Sequence, residues 1–468
     1  MSVPRSPNGS PPSAGRGTES TADYGKTASF LAIGVGLTGL ITYVYFFIAS
    51  HVLSKPDYGQ ITVLWSAVFI TISTLYRPIE QLLSRNIAQH TVKGEPLGST
   101  MRVASTIQLG LSLTFAVVAL ALCGPIQNGV LEGNETLYWV FFSAVLFYAA
   151  SYFARGFLAG NKRFGLFVAL ILSESCFRTI FAVLVAVSIL SGQSAVAIGI
   201  VAAPALSLMV VPFAFARRAK REGEVEQPES DEEASVSMVK GGGFAAAVLV
   251  IMFSEQAFLN AGPLVIRGLQ GAAAAGFIFN VLMIARAPLQ LFQAVSTSIL
   301  PHLTSLHASE EPGSEDEFHR SVRMVLLGLA AFTAVALLFM VAVGPTAMQI
   351  AFSKKFTYDR EGLLLVTLGM GLYLASVTVN QACVAQGQVR RAALRWIGCA
   401  ALFIGWNFVP LVSNEFRRVE IGFLLAAGVL FSLLYYVYRR PHERAEDVPE
   451  PGSAEELEAR LAMIDENV

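Results

Sequence analysis

The chain has 468 residues, 54% of them hydrophobic and only 14% charged, with a mean hydropathy of +0.56. Soluble domains carry about 25% charged residues, so an ordinary water-soluble class is excluded and lipid becomes the main solvent. With 33 Lys and Arg against 34 Asp and Glu, the net charge of −1 gives no electrostatic case for a nucleic-acid partner.

Residues 1–26 are rich in Pro, Ser, Gly and Thr and cannot form a core, which predicts a disordered cytoplasmic tail. The first apolar stretch, 27–50, is too long for a signal-peptide core and lacks a clear cleavage site. A span needs about 20 apolar residues. On that measure about twelve spans follow, near 27–50, 58–84, 104–124, 137–159, 165–190, 194–216, 244–267, 274–300, 322–345, 361–386, 392–412 and 419–438. The pattern predicts an all-α polytopic membrane protein. Six spans form an N-lobe (27–216) and six a C-lobe (244–438). Between them lies a cytoplasmic linker, 217–243, basic and then acidic. An acidic cytoplasmic tail, 439–468, closes the chain. Within the tail, Ser-Ala-Glu-Glu at 453–456 is a capping-box pattern ahead of Leu457, Leu461 and Ile464, as in a short amphipathic helix.

Basic residues set the orientation. The two termini and the loops with Arg85, Lys93, Arg102, Lys162, Arg163 and the 217–240 cluster share one side. The opposite loops hold only Lys55, Arg267, Lys354, Lys355, Arg360, Arg417 and Arg418. The richer side is cytoplasmic, so both termini are expected inside. The outer loops are short, which leaves no room for an extracellular catalytic domain.

The two halves repeat. Gly-Pro ends the third span of each (124–125 and 344–345). Leu-Ala-Gly-Asn-Lys-Arg-Phe (158–164) and Ala-Gln-Gly-Gln-Val-Arg-Arg (385–391) follow the fourth span of each. Arg77-Pro78 and Arg286-Ala-Pro288 lie in the second spans. Prolines at 78, 204, 263 and 288 are expected to bend their helices. Parallel repeats of this kind suit a transporter whose halves rock about a central site.

Charges inside spans carry the chemistry, because each costs several kcal/mol in lipid. They are Arg77, Glu80, Arg155, Glu174, Arg178, Glu255 and Arg286. Glu174 and Arg178 stand four apart on one helix face, either as a neutralised pair or as part of a site. Arg77 and Arg155 either snorkel to the cytoplasmic interface or face a wet cavity. Glu255 and Arg286 are too central to snorkel. They pair with each other or face a cavity. Guanidinium suits phosphate oxygens, so Arg77, Arg155, Arg178 and Arg286 are candidate substrate-binding residues. Glu80, Glu174 and Glu255 are candidates for ion coupling or charge pairing. Asn260, Asn280, Gln290, Gln293, Asn380, Gln381 and Asn407 either line the site or bond between helices. The four cysteines, Cys123, Cys176, Cys383 and Cys399, lie in apolar runs without metal spacing and read as small buried hydrophobes. No histidine is mid-membrane, and there is no Walker, metal or nucleophile motif. No cofactor and no catalytic residue are expected, and the chain does not read as an enzyme.

Three stretches resemble a known family. Residues 55–70 (KPDYGQITVLWSAVFI) resemble the first hairpin of polysaccharide flippases. Residues 77–89 (RPIEQLLSRNIAQ) are similar to a segment of actinobacterial polysaccharide biosynthesis membrane proteins. GNKRF, 160–164, is similar to the family's Gly-basic-aromatic turn. The family is the multidrug/oligosaccharidyl-lipid/polysaccharide exporter superfamily, in its Wzx-like and MurJ-like branches. The resemblance implies two pseudo-symmetric six-helix lobes around a central cavity and alternating access. It further implies a bacterial plasma-membrane flippase that moves a polyprenyl-pyrophosphate-linked oligosaccharide to the outer leaflet for cell-surface polysaccharide. Its partners would be that glycolipid, the bilayer and glycan-assembly enzymes. By position, Arg77 and Arg286 would hold the pyrophosphate. The chain departs from the peptidoglycan-precursor branch in having about twelve spans and no arginine in span one, which favours another glycan lipid. The alternative is a cation-coupled drug or metabolite exporter of the same fold.

Overall fold

The computed structural model describes residues 21–93, 97–210, 212, 231–283, 286 and 314–440. The described elements are helical: α1 (Thr21–Val52), α2 (Lys55–Leu75), α3 (Arg77–Lys93), α4 (Gly98–Ala121), α5 (Cys123–Gly129), α6 (Glu135–Gly160), α7 (Phe164–Ala186) and α8 (Gly192–Ser207). After these come α9 (Asp231–Gln270), α10 (Ala272–Met283), α11 (Ser314–Phe352), α12 (Arg360–Ala385), α13 (Val389–Trp406) and α14 (Glu415–Arg439).

Ten helical segments among the described residues are long and apolar enough to cross a membrane. The other two expected spans correspond to α10, since most of 284–300 lies outside the described residues, and α13, which carries Arg390, Arg391 and Arg395 in its 18 residues. The chain is a multi-pass membrane protein.

Several helices run past the expected span ends. α1 starts at Thr21, inside the expected tail, and α9 starts at Asp231, inside the expected linker. Hydropathy marks only the part of a helix that lipid must cover, whereas the backbone ladder continues into water at little cost. Residues 1–20, 213–230 and 441–468, which include the rest of the two tails and the linker, lie outside the described residues.

The described residues form two compact units. Unit 1 holds α1–α8 together with Arg286 and Ala351–Ser353; unit 2 holds α9, α10, most of α11, and α12–α14. In unit 1, α1 packs on α7, α7 on α8, and α6 on both α8 and α3. In unit 2, α9 packs on α13, α13 on α14, and α12 on α14. The first, fourth, fifth and sixth spans of each half therefore meet in the same pairs.

The caps give the register of this repeat. Asn134 caps α6 by accepting from the Leu137 N–H (3.1 Å), and Asp359 caps α12 by accepting from the Gly362 N–H (3.0 Å). Both helices run 26 residues. Both end in one kind of turn. Lys162 N–H donates to Ala159 and Arg163 N–H to Leu158, just as Gly387 N–H donates to Val384 and Gln388 N–H to Cys383. Lys162 and Gly387 both take positive φ, 54° and 74°. Lys162 is thus the counterpart of Gly387. The two turns match, but Gly160 and Gly387 do not occupy the same place, because the left-handed position falls on a lysine in one half.

Two backbone features shape unit 1. The second span breaks at Tyr76 (φ −112°, ψ −26°), between α2 and α3. Pro78 follows in the first turn of α3, where its missing N–H interrupts the ladder of a continuous helix. The other close feature is a small-residue pair on α6. A Cβ on Gly156 would lie 2.8 Å from the Glu80 carbonyl oxygen, and one on Gly160 would lie 2.9 Å from that of Ser84. This Gly-x-x-x-Gly spacing lets α3 lie backbone-close on α6.

α4 and α11 turn most of their length outward. Leu109 is 70% exposed and Leu338 69%, as expected of surfaces that face lipid. Among the cysteines, Cys383 and Cys399 are buried, Cys123 is half-buried and Cys176 is exposed. The expectation of burial fails at Cys176 because an apolar run has a lipid-facing side as well as a packed one.

Candidate functional site

The charges gather inside unit 1. Glu174 on α7 accepts from Arg155 Nη2 of α6 at 2.6 Å and from Ser151 Oγ at 3.2 Å. The side chains of Arg155 and Glu174 are 14% and 5% exposed. The expected Glu174–Arg178 pair is therefore replaced by one between helices. Spacing along one helix could not reveal a partner on its neighbour. Arg155 does not snorkel either, since Glu174 holds it.

Arg178 takes another course. Its guanidinium lies 4.5 Å from the centroid of the Trp65 ring on α2 and 6.0 Å from that of Tyr45 on α1. Nη2 donates to Ser175 Oγ at 3.3 Å. Nε and Nη1 are buried without a hydrogen-bond partner. The aromatic wall is continuous: Trp65 stacks on Phe69 at 4.0 Å and meets Phe46 edge-on at 5.0 Å. Cation–π contact stabilises a guanidinium by up to about 2 kcal/mol when desolvated.

The α2–α3 break brings in the remaining charges. Arg77 and Glu80, in the first turn of α3, are half-buried. Glu80 lies in the field of Arg155, Arg77 and Glu174. The Tyr152 hydroxyl feels Arg155, Glu80, Arg77 and Glu174 together, and Arg155 lies over the Tyr152 ring at 4.6 Å. The Tyr148 hydroxyl lies in the field of Glu174, Arg178 and Arg155. Five of the seven sequence-predicted residues thus form one constellation: Arg77, Glu80, Arg155, Glu174 and Arg178. Arg286 also belongs to unit 1, where its charge acts on the Tyr43 hydroxyl of α1. Glu255 belongs to unit 2, half-buried on α9.

Four of the weaker polar candidates make hydrogen bonds within unit 2. Asn260 donates to Gln256, and Asn280 to the Tyr358 hydroxyl at 2.9 Å. Asn380 accepts from Trp396 Nε1 at 3.0 Å, and Asn407 donates to the Phe403 carbonyl. Gln290 and Gln293 lie outside the described residues. Sequence reading missed Trp65, Tyr148, Ser151 and Tyr152. The spacing of Tyr148, Ser151, Tyr152 and Arg155 along one helix face was the available signal.

The corresponding place in unit 2 is neutral. Counted from the matched caps, Tyr148, Ser151 and Arg155 correspond to Tyr373, Ser376 and Asn380, while Glu174 and Arg178 correspond to Cys399 and Phe403. There Phe258 stacks on Phe403 at 5.7 Å and meets Trp396 edge-on at 6.0 Å. In unit 2 an ion cluster lies where α12 and α14 begin. Arg417 of α14 reaches Asp359 (2.6 Å), Glu361 (3.1 Å) and Glu420 (3.2 Å). Burial opposes the charge on Asp359. The Gly362 N–H and the Arg417 guanidinium outweigh it and hold the carboxyl below the ordinary carboxylate value. Among the described residues no group of three His, Cys, Asp or Glu is placed to hold a metal ion.

No family model and no curated protein matches the chain. Solved structures do. A multidrug resistance MATE family transporter of the MOP superfamily in its inward-facing conformation aligns with a TM-score of 0.61 at 12% identity, over 88% of this chain and 97% of that one. An outward-facing structure of a transporter so described gives 0.59 at 14%, over 88% and 95%. A eukaryotic MATE transporter gives 0.59 at 15%, over 89% and 95%. At these identities the likeness is one of fold. The helical, two-unit architecture of the described residues is the MATE transporter fold, and the neighbours named are MATE transporters rather than flippases of lipid-linked glycans.

Proposed function

We propose that this chain is an alternating-access membrane transporter, within the superfamily that its sequence resembles, that exports a drug-like or metabolite substrate in exchange for a cation. The observation that carries the reading is the extent of the likeness: 88% of the chain follows the fold of multidrug transporters solved in both inward- and outward-facing forms. The unit 1 constellation supplies the coupling element. A carboxylate beside a guanidinium in a lipid-embedded unit is neutralised by that partner and freed for a cation when the partner moves, which is what coupling requires. Glu174 and Glu80 have that setting.

The test is efflux of a fluorescent cationic dye from vesicles carrying the purified protein, under an imposed proton or sodium gradient. Gradient-driven efflux in the wild type that Glu174→Gln abolishes supports the reading. No gradient-driven flux of any dye or metabolite tried overturns it.

One observation favours a second reading. Four arginines, Arg77, Arg155, Arg178 and Arg286, belong to unit 1 against two carboxylates among the predicted residues. That excess suits the pyrophosphate of a polyprenyl-linked oligosaccharide. Under this reading the chain flips the glycolipid outward and works beside glycan-assembly enzymes. Both readings have its termini inside, in keeping with the basic loops, and a bacterial plasma membrane, in keeping with the family that the sequence resembles. Flipping of a fluorescent polyprenyl-pyrophosphate sugar in the same vesicles, lost in Arg286→Ala, separates this reading from the first.

A further inference from the structure

We propose that unit 1 binds a small inorganic anion, with the chemistry of chloride, on the guanidinium of Arg178. Two independent observations meet there. The first is unmet donor capacity. Arg178 is 2% exposed, and its Nε and Nη1 have no acceptor, as has Nε of Arg155 nearby. Buried donors are nearly always paired, and each one left unmet is costly. The second is charge. Among the described residues, Arg77, Arg155 and Arg178 share this field with Glu80 and Glu174, so these five carry one positive charge in excess with both carboxylates ionised. Protonating either carboxylate enlarges the excess.

The surroundings select the anion. Trp65 covers one face of the guanidinium, so a ligand must approach in its plane, where the N–H donors point. Ser175 Oγ stands beside Nη2 and adds a hydroxyl. The near-complete burial of Arg178 suits a single-atom anion. Glu174, held by Arg155, is the internal competitor for the same positive field. The inference does not rest on the transport reading, since binding is read without flux.

The experiment is thermal unfolding of the purified full-length protein, with chloride replacing gluconate at constant ionic strength so that screening stays fixed. Saturating chloride raises the wild-type Tm by about 2–4 °C. Arg178→Gln loses the rise. Glu174→Gln, which removes the competing charge, lowers the half-saturating chloride concentration several-fold. Should Arg178→Gln fail to fold, iodide gives a second readout. Iodide bound beside Trp65 quenches its fluorescence saturably, and Trp65→Phe removes that component. Equal wild-type Tm in chloride and gluconate, a chloride shift that survives in Arg178→Gln, or saturable quenching unchanged in Trp65→Phe overturns the proposal.

Discussion

Two helix pairs, α6–α7 in unit 1 and α12–α13 in unit 2, share a cap, a helix length and a left-handed turn, yet their interiors are opposite in kind. One holds Arg155, Glu174 and Arg178; the other holds Asn380, Cys399 and Phe403 in their places, among stacked aromatic rings. Unit 2 demonstrates that this packing needs no ions. A buried ion pair is rarely better for stability than well-packed apolar side chains. The charges of unit 1 are therefore best explained by what they do.

The comparison yields graded predictions. Arg155→Ala leaves Glu174 buried without its guanidinium and destabilises unit 1 by about 3–5 kcal/mol, read by thermal or denaturant unfolding. Exchanging all three charges for the unit 2 set, Arg155→Asn with Glu174→Cys and Arg178→Phe, recovers more than half of that loss. An exchange variant no more stable than Arg155→Ala would break the equivalence of the two helix pairs.

The second effect concerns close approach. Gly156 meets the backbone of α3 at 2.8 Å, whereas its counterpart on α12 is Gln381. Gly156→Ala pushes α3 outward and costs about 1–3 kcal/mol. Because Arg77 and Glu80 ride on α3, the variant loses transport beyond what its reduced folded fraction explains.

In unit 2 a hydrogen bond joins α12 to α13 through Asn380 and Trp396. Asn380→Ala leaves the Trp396 Nε1–H buried and unpaired, at a cost of about 1–3 kcal/mol, without altering transport coupling. A change in ion dependence in this variant would contradict the confinement of coupling to unit 1.

The smallest effect is at Asp359. Its folded pKa lies below the unfolded value, so its contribution is present above the unfolded pKa and lost as pH falls through the folded one. The side chain is 52% exposed, and the interaction is worth no more than about 1 kcal/mol. The stability gap between wild type and Asp359→Asn is expected to be constant near neutrality and to close in strong acid.

Much of the fold is legible in the sequence, because a lipid-spanning helix must be apolar for about 20 residues whatever its partners. The helix ends of α1 and α9 are not, since helix in water leaves no hydropathy mark. The site divides in the same way. The need for charge is visible residue by residue at Arg155, Glu174 and Arg178. Their pairing is not, because Glu174 has Arg178 on its own face and Arg155 on another helix, and only packing chooses between them. Trp65 and Tyr148 look like any other aromatic residues in an apolar run. The turn at Lys162 is hidden as well, since glycine marks the equivalent position only at Gly387.

The most direct measurement is gradient-driven dye efflux by the exchange variant Arg155→Asn, Glu174→Cys, Arg178→Phe, reconstituted at matched folded amounts beside the wild type. A folded variant that no longer responds to the cation gradient is the predicted result. A folded variant that pumps at the wild-type rate would contradict the claim that the charges of unit 1 drive transport.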